Sequence, residues 1–97
     1  MTPEEHAKDL EARGYAFCGS HKDSTKDPNY RLAIGDRVRK RNQHFGYETG
    51  TGTIEAIYYK ERSAWAQKYK SDDVELIVKN DDGTYSFVAN YHVSKVG

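Results

Sequence analysis

The chain holds little that would staple it, kink it or carry it into a membrane. Among 97 residues there are one cysteine, two prolines, one tryptophan and one methionine. A single cysteine, Cys18, closes no internal disulfide, which agrees with a reducing compartment. No apolar run approaches the ~18–20 residues that a membrane helix needs. The opening stretch, MTPEEHAKDLEARGY, has neither the basic start nor the apolar centre of a signal peptide. The expected location is cytoplasmic, with no membrane partner. Charge of either sign is not in excess, since fifteen Lys and Arg face fifteen Asp and Glu. Domains whose main task is a non-specific grip on phosphate read strongly basic, so the balance argues against that class.

Signatures of catalysis are missing as well. There is no Gly-x-Ser-x-Gly elbow, no phosphate loop with its Gly-Lys-Ser/Thr and no His-Glu-x-x-His. The spaced glycines of GYETGTG, Gly46 to Gly52, precede a strand rather than a helix, so they build no helix-terminus phosphate site. Cys18 and His21 stand three apart, with His6, His44 and His92 elsewhere. Structural zinc takes four ligands, usually with a close cysteine pair, and one cysteine does not supply that. The reading is therefore a non-enzyme with no catalytic residue, no metal, no cofactor and no small-molecule substrate. Cys18 is expected to be a small, partly buried apolar side chain, and the histidines are expected at the surface.

What is present is enough for one domain, residues 1–97, because chains divide only at roughly two to three times this length. A mean hydropathy of -0.96 leaves a modest core. Eight of the twelve aromatics are Tyr, which buries a ring while keeping its hydroxyl wet. The charges are also unevenly placed. Residues 37–70 carry eight bases and three acids, whereas 1–36 carry five and seven and 71–97 carry two and five.

Thr2-Pro3-Glu4-Glu5 has the chemistry of a helix start: Thr2 as N-cap, Pro3 in the first helical position and Glu5 closing a capping box. A helix from about Pro3 to Arg13 follows, with Gly14 as its stop and Ala7, Leu10 and Tyr15 as a narrow apolar stripe. Tyr15 and Phe17 alternate as a short extended segment, and Gly19 to Asn29 reads as loop. Tyr30, Leu32 and Ile34 alternate again and lead into a turn at Gly35-Asp36. From there the pattern is β. Strands are expected at Arg37–Asn42, Gly52–Tyr59, Val74–Lys79 and Thr84–Ala89, with a hairpin turn at Asn80-Asp81-Asp82-Gly83. Along the second strand Ile54, Ala56 and Tyr58 share one face and Ile57 and Tyr59 the other. Along the third, Val74, Leu76 and Val78 oppose Glu75 and Lys79. NYHVSKV offers one turn and a short last strand, and KERSAWAQKYKSDD offers a helical turn that sets Trp65 one turn from Tyr69.

The run GDRVR, an irregular loop, GTGTIEAI and a helical turn before the last strand resemble the SH3-like small β-barrels, most closely the KOW-type and photosystem PsaE-like versions. The resemblance spans Gly35 to Val96. It implies a mainly β, five-stranded SH3-like barrel over 35–97, carrying residues 1–34 as a helical and extended appendage across an edge or an open end. Lys40 stands where an inward aliphatic residue would follow Val38.

Three groups of residues are candidates for binding. Arg37, Arg39 and Arg41 share a face of the first barrel strand if Val38 points inward. With His44, Phe45 and Tyr47 they make the basic and aromatic lip that single-stranded nucleic acid uses. The same arginines could instead pair with Asp72, Asp73, Asp81 and Asp82. Phe45, Tyr47, Tyr58 and Tyr59 either line a peptide groove at the barrel's end or are in part core. Trp65 and Tyr69 either anchor a partner or pack inward. The function expected is a non-enzymatic protein-interaction module, of the adaptor, accessory or inhibitory kind that bacteria and phages encode. It would bind a protein partner through the Asn42–Gly52 loop and the Trp65 insert, with Phe45, Tyr47, Trp65, Tyr69, Arg39 and Arg41 at the contact. The alternative is nucleic-acid binding through the Arg37–Arg41 face.

Overall fold

Strand pairing begins with the longest element, a 13-residue strand with which three others pair. The computed structural model describes residues 2–22, 31–41, 48–60 and 73–96. Within them lie one helix, α1 (Pro3–Ala12), and eight strands: β1 (Ala16–Cys18), β2 (Ser20–Lys22), β3 (Arg31–Ala33), β4 (Arg37–Arg41), β5 (Glu48–Lys60), β6 (Asp73–Asn80), β7 (Tyr85–Ala89) and β8 (Val93–Lys95). A 3-10 turn, Asn90–His92, links β7 to β8. The described residues are mainly β with one short helix.

The main sheet runs β7-β6-β5-β4-β8, with β1 added on β5 and β2 pairing with β3 in a second, two-stranded sheet. Every pairing is antiparallel. One edge of β5 is covered by β6. The other is shared: β4 takes Glu48 to Thr53, and β1 takes Ile57 to Tyr59. Between them, Gly35 N–H donates to Ile54 O and Ile54 N–H to Asp36 O, at 2.8 and 3.0 Å, so the turn before β4 fills the gap. Through β1 the N-terminal segment covers part of that edge. The helix does something different.

α1 lies on the face of the sheet. Leu10, fully buried, clusters with Tyr58 and Ile77, and Ala7, Tyr15, Ala56 and Phe87 pack around them. The other face holds the larger core of Leu32, Val38, Ile54, Ile57, Val74, Leu76, Val78 and Val93. β5 and β6 are thus buried on both sides, which explains why Ile77 interrupts the Glu75 and Lys79 face.

The helix ends as its sequence dictates. Glu5 N–H donates to Thr2 Oγ1 at 3.1 Å and Thr2 N–H to Glu5 Oε1 at 3.3 Å, completing the capping box. At the other end Gly14 takes a φ of 92°. Gly14 N–H donates to Glu11 O and Tyr15 N–H to Leu10 O, both at 3.0 Å, the paired bonds of a Schellman stop. Leu10 and Tyr15 then share a cluster, the apolar contact that accompanies this motif.

Three expectations change. Residues 20–22, read as loop, form β2, which pairs with the three-residue strand β3 and helps carry Leu32 into the core. The strand expected from Gly52 begins at Glu48. The alternation of β5 also breaks: Ile54 faces Val78 and Ala56 faces Ile77, leaving Glu55 as an extra residue. This bulge reverses the phase. Ile54 consequently joins Ile57 and Tyr59 on the core side, while Ala56 and Tyr58 turn toward the helix.

Candidate functional site

On β4 the alternation is clean. Val38 and Lys40 are buried, and Arg37, Arg39 and Arg41 are exposed on the opposite face. Arg37 is held: its Nη1 donates to Asp81 Oδ1 at 2.6 Å and its Nη2 to Asp81 Oδ2 at 2.8 Å. Nη1 also donates to Thr53 Oγ1 at 3.1 Å, and Thr51 Oγ1 donates to Asp81 Oδ2. The Arg37 bonds, then the Thr51 bond, keep the Asp81 carboxyl well below the usual carboxylate range, and the same pair raises Arg37. Both partners are exposed, so solvent screening limits what the pair adds to stability. Its clear effect is geometric, because it fastens the β6–β7 turn to β4 and β5.

That turn has a defined shape. Gly83 N–H donates to Asn80 O at 2.9 Å, Asn80 N–H donates to Thr84 O at 2.7 Å, and among the described residues no non-glycine has positive φ. Asp81 and Asp82 therefore occupy a type I turn, and Gly83, at φ 89°, supplies the left-handed third residue of the loop. The expected hairpin is present, with one residue more than a two-residue turn. Asp82 accepts from Thr84 Oγ1 at 2.6 Å and Thr84 N at 2.9 Å, bonds that lower its pKa.

Behind this turn lies a cleft of about 250 Å³ lined by Lys40, Gly50, Thr51, Asn80, Asp81 and Asp82. Lys40 is only 7% exposed, and its Nζ donates to Ser86 Oγ at 3.0 Å. The sheet is curved enough for β4 to reach β7 in this way across its inner face. Asn80 Nδ2 donates to the same Ser86 oxygen at 2.9 Å and to Thr84 Oγ1 at 3.0 Å. Asn80 Oδ1 is buried with no hydrogen-bond partner among the described residues. The inward phase of Lys40 was visible in the alternation with Val38. Its neighbours Asn80 and Ser86 carried no signal, since they come from 40 and 46 residues further along the chain.

Of the residues expected at the contact, Arg39 and Arg41 lie side by side on the exposed face of β4. Phe45, Tyr47, Trp65 and Tyr69 fall outside the described residues. Tyr58 is buried under α1 and Tyr59 packs on the core, so those two rings belong to the interior. Burial and the Glu11 charge push the Tyr58 hydroxyl up. Among the described residues the most exposed large apolar side chain is Phe17 on β1, at 57%, edge-on to Tyr58 with ring centres 5.6 Å apart.

Cys18 is half-buried against the core, and burial pushes its thiol up, away from the thiolate a nucleophile needs. His21 packs against Tyr59 at 5.2 Å, and His6 stacks on Phe87 at 4.2 Å. Among the described residues no three His, Cys, Asp or Glu side chains converge as a metal site would require, and no helix is long and apolar enough to cross a membrane. No family model, curated protein or solved structure matches the chain.

Proposed function

We propose that this chain is a non-enzymatic protein-interaction module of the cytoplasm, an SH3-like barrel with an N-terminal helix laid on its outer face. Support for the barrel is the order of elements: four antiparallel strands in succession, a 3-10 turn, and a last strand returning to pair with the first of them. The Lys40–Ser86 bond between β4 and β7 supports the curvature that such a barrel needs. The observation that carries the interaction reading is the strand at the end of the sheet order. β7, YSFVA, has no charge and no proline, and Tyr85 on it is 41% exposed. Edge strands are ordinarily guarded by charges, prolines or bulges, and an unguarded edge is the kind to which a partner adds a strand. The loops carrying Phe45, Tyr47, Trp65 and Tyr69 would extend that contact.

A photo-crosslinking residue at position 85, compared with one at the exposed Lys8 of α1, tests the reading in cells that make the protein. One discrete protein adduct from position 85 and none from position 8 is expected. Equal adducts from both positions would remove the assignment of β7.

A second reading, nucleic-acid binding, draws on the exposure of Arg37, Arg39 and Arg41 along one face. Against it stand the bidentate Arg37–Asp81 pair and the zero net charge. The expected result of a titration with single-stranded DNA or RNA is no retention even near ~50 mM salt, where electrostatic binding is strongest. Tight binding that weakens steeply with salt, with a slope flattened by roughly one unit per lost contact in Arg39→Ala and Arg41→Ala, would replace the first reading with the second.

A further inference from the structure

The outer edge of β7 carries a main-chain pattern that is complementary to itself. The loop between β6 and β7 fixes which residues of β7 bond to β6. Asn80 N–H donates to Thr84 O at 2.7 Å, so Asn80 and Thr84 are a hydrogen-bonded pair. In an antiparallel ladder such pairs alternate with pairs whose main-chain groups point away from each other. Val78–Ser86 and Leu76–Val88 are therefore the next bonded pairs, whereas Lys79–Tyr85, Ile77–Phe87 and Glu75–Ala89 are not. The N–H and C=O groups of Tyr85, Phe87 and Ala89 consequently point out from the end of the sheet order, and no described residue bonds them.

These three residues are placed symmetrically about Phe87. In a second β7 running antiparallel beside the first, across a two-fold axis at Phe87, each Phe87 exchanges both its bonds with the other Phe87. Tyr85 of either copy does the same with Ala89 of the other. The side chains suit this register. Phe87 packs in the cluster of Leu10, Tyr58 and Ile77, and alternation puts Tyr85 and Ala89 on the same face. A large Tyr85 then falls beside a small Ala89, and two half-buried Phe87 rings meet at the axis, where directly opposed Cβ atoms stand ~4.5–5.5 Å apart. On β6, Lys79 lies in the row of Tyr85 and Glu75 in the row of Ala89, so the register aligns Lys79 of one copy with Glu75 of the other, outside an uncharged seam. The chain has no net charge to hold two copies apart. A different partner would need its own strand to match each of these features, whereas a second β7 supplies them by symmetry.

We infer that β7 pairs antiparallel with β7 of a second copy of this chain, centred on Phe87, so that two sheets join into one. This rests on the protein-interaction reading of β7 and names the strand that adds to it. Five residues of edge make a small contact beside the roughly 1,200–2,000 Å² of a stable interface, so the dimer forms and dissociates with concentration.

The test is sedimentation of the full chain from about 10 μM to about 1 mM, with amide hydrogen exchange read residue by residue over the same range. The mass should rise from 11.1 kDa toward twice that value. The amides of Tyr85, Phe87 and Ala89 should pass from open to protected as it does, whereas those of Ser86 and Val88 should be protected at every concentration. Ala89→Pro removes an outward donor and leaves the β6 ladder whole, because Ala89 already has a φ of −77° and its N–H makes no bond to β6. The axis doubles that loss, so dimerisation should weaken at least roughly tenfold. A mass of 11.1 kDa at about 1 mM, protection gained elsewhere than at alternate residues of β7, or an unweakened dimer in Ala89→Pro would each overturn the inference. The alternating protection in the unmodified chain decides the matter even if Ala89→Pro does not fold. In cells, the adduct from position 85 should consist of two copies of this chain. A monomeric chain whose position 85 still captures a different protein would discard the second copy alone, whereas loss of any adduct would discard the interaction reading itself.

Discussion

Gly52 is the position where the close approach of two strands can be weighed against the backbone freedom of glycine. It sits in β5, opposite Val38 on one side and Asn80 on the other. A methyl group there would stand 2.6 Å from the carbonyl oxygen of Lys79, 2.6 Å from Val78 Cγ1 and 3.1 Å from Asn80 Cα. Two of those three atoms are main chain in a paired strand, so relief requires the β5–β6 ladder to move. Overpacking of this kind costs about 1–3 kcal/mol. Replacing glycine by alanine also restricts the unfolded chain, which returns about 0.4–1 kcal/mol. A net loss of roughly 1–2 kcal/mol follows for Gly52→Ala, and at about 4–8 °C per kcal/mol for a domain this small, Tm should fall by roughly 5–15 °C. Two other glycines separate the causes. Gly50 has open space but a φ of 129°, so Gly50→Ala isolates backbone strain, and Gly19 has neither constraint. Urea unfolding of the three variants, with the slope checked for constancy, gives the ranking. Gly52→Ala as stable as Gly19→Ala would refute the argument from close approach.

Removal of residues 1–14 should lower Tm yet leave a cooperative transition, because the helix contributes mainly Leu10, about 1.5–3 kcal/mol of buried side chain, to the smaller of two cores; a non-cooperative melt would show the helix to be integral. Gly83→Val should cost more than about 1 kcal/mol in the same unfolding assay, since a β-branched residue resists the positive φ that closes the β6–β7 loop, and a parent-like midpoint would contradict the turn geometry. His6, stacked on Phe87, is lowered first by burial and then by Arg13, so the unfolded chain takes up its proton before the folded one does. The stability this adds is present above about pH 6.5 and is lost as pH falls through the lower folded value; His6→Phe should flatten that part of the pH–stability curve, and an unchanged slope would remove His6 as its source.

Much of the fold was legible because local chemistry and tertiary structure ask for the same thing. Thr2, Pro3 and Glu5 cap a helix wherever they stand, and Gly14 stops it. Val38 and Lys40 alternate with three arginines over a strand whose two faces have different surroundings. Where the sequence reading failed, a tertiary term decided. Nothing in TIEAIYY marks Glu55 as an extra residue, since the bulge exists only relative to the register of β6. Strands β1 to β3 have three residues each, too few for a period, and they form because β5 leaves an edge for β1 and the core leaves room for Leu32. The third strand was read as having one buried face, with Glu75 and Lys79 on the other, yet Ile77 between them is buried. α1 gives the strand a second buried face.

The candidate site was the least legible part, for a related reason. A strand pattern states which way a side chain points but not what it meets. Lys40 in the inward phase reads as an unfavourable choice until the curvature of the sheet brings Ser86 to it across the two intervening strands. The arginines on the other face, conspicuous in the sequence, include one whose charge is spent on tying down the turn that walls the cleft. The two faces of β4 are therefore coupled through one turn: Arg37 on the outer face holds Asp81, and Lys40 on the inner face acts electrostatically on Asp82 beside it.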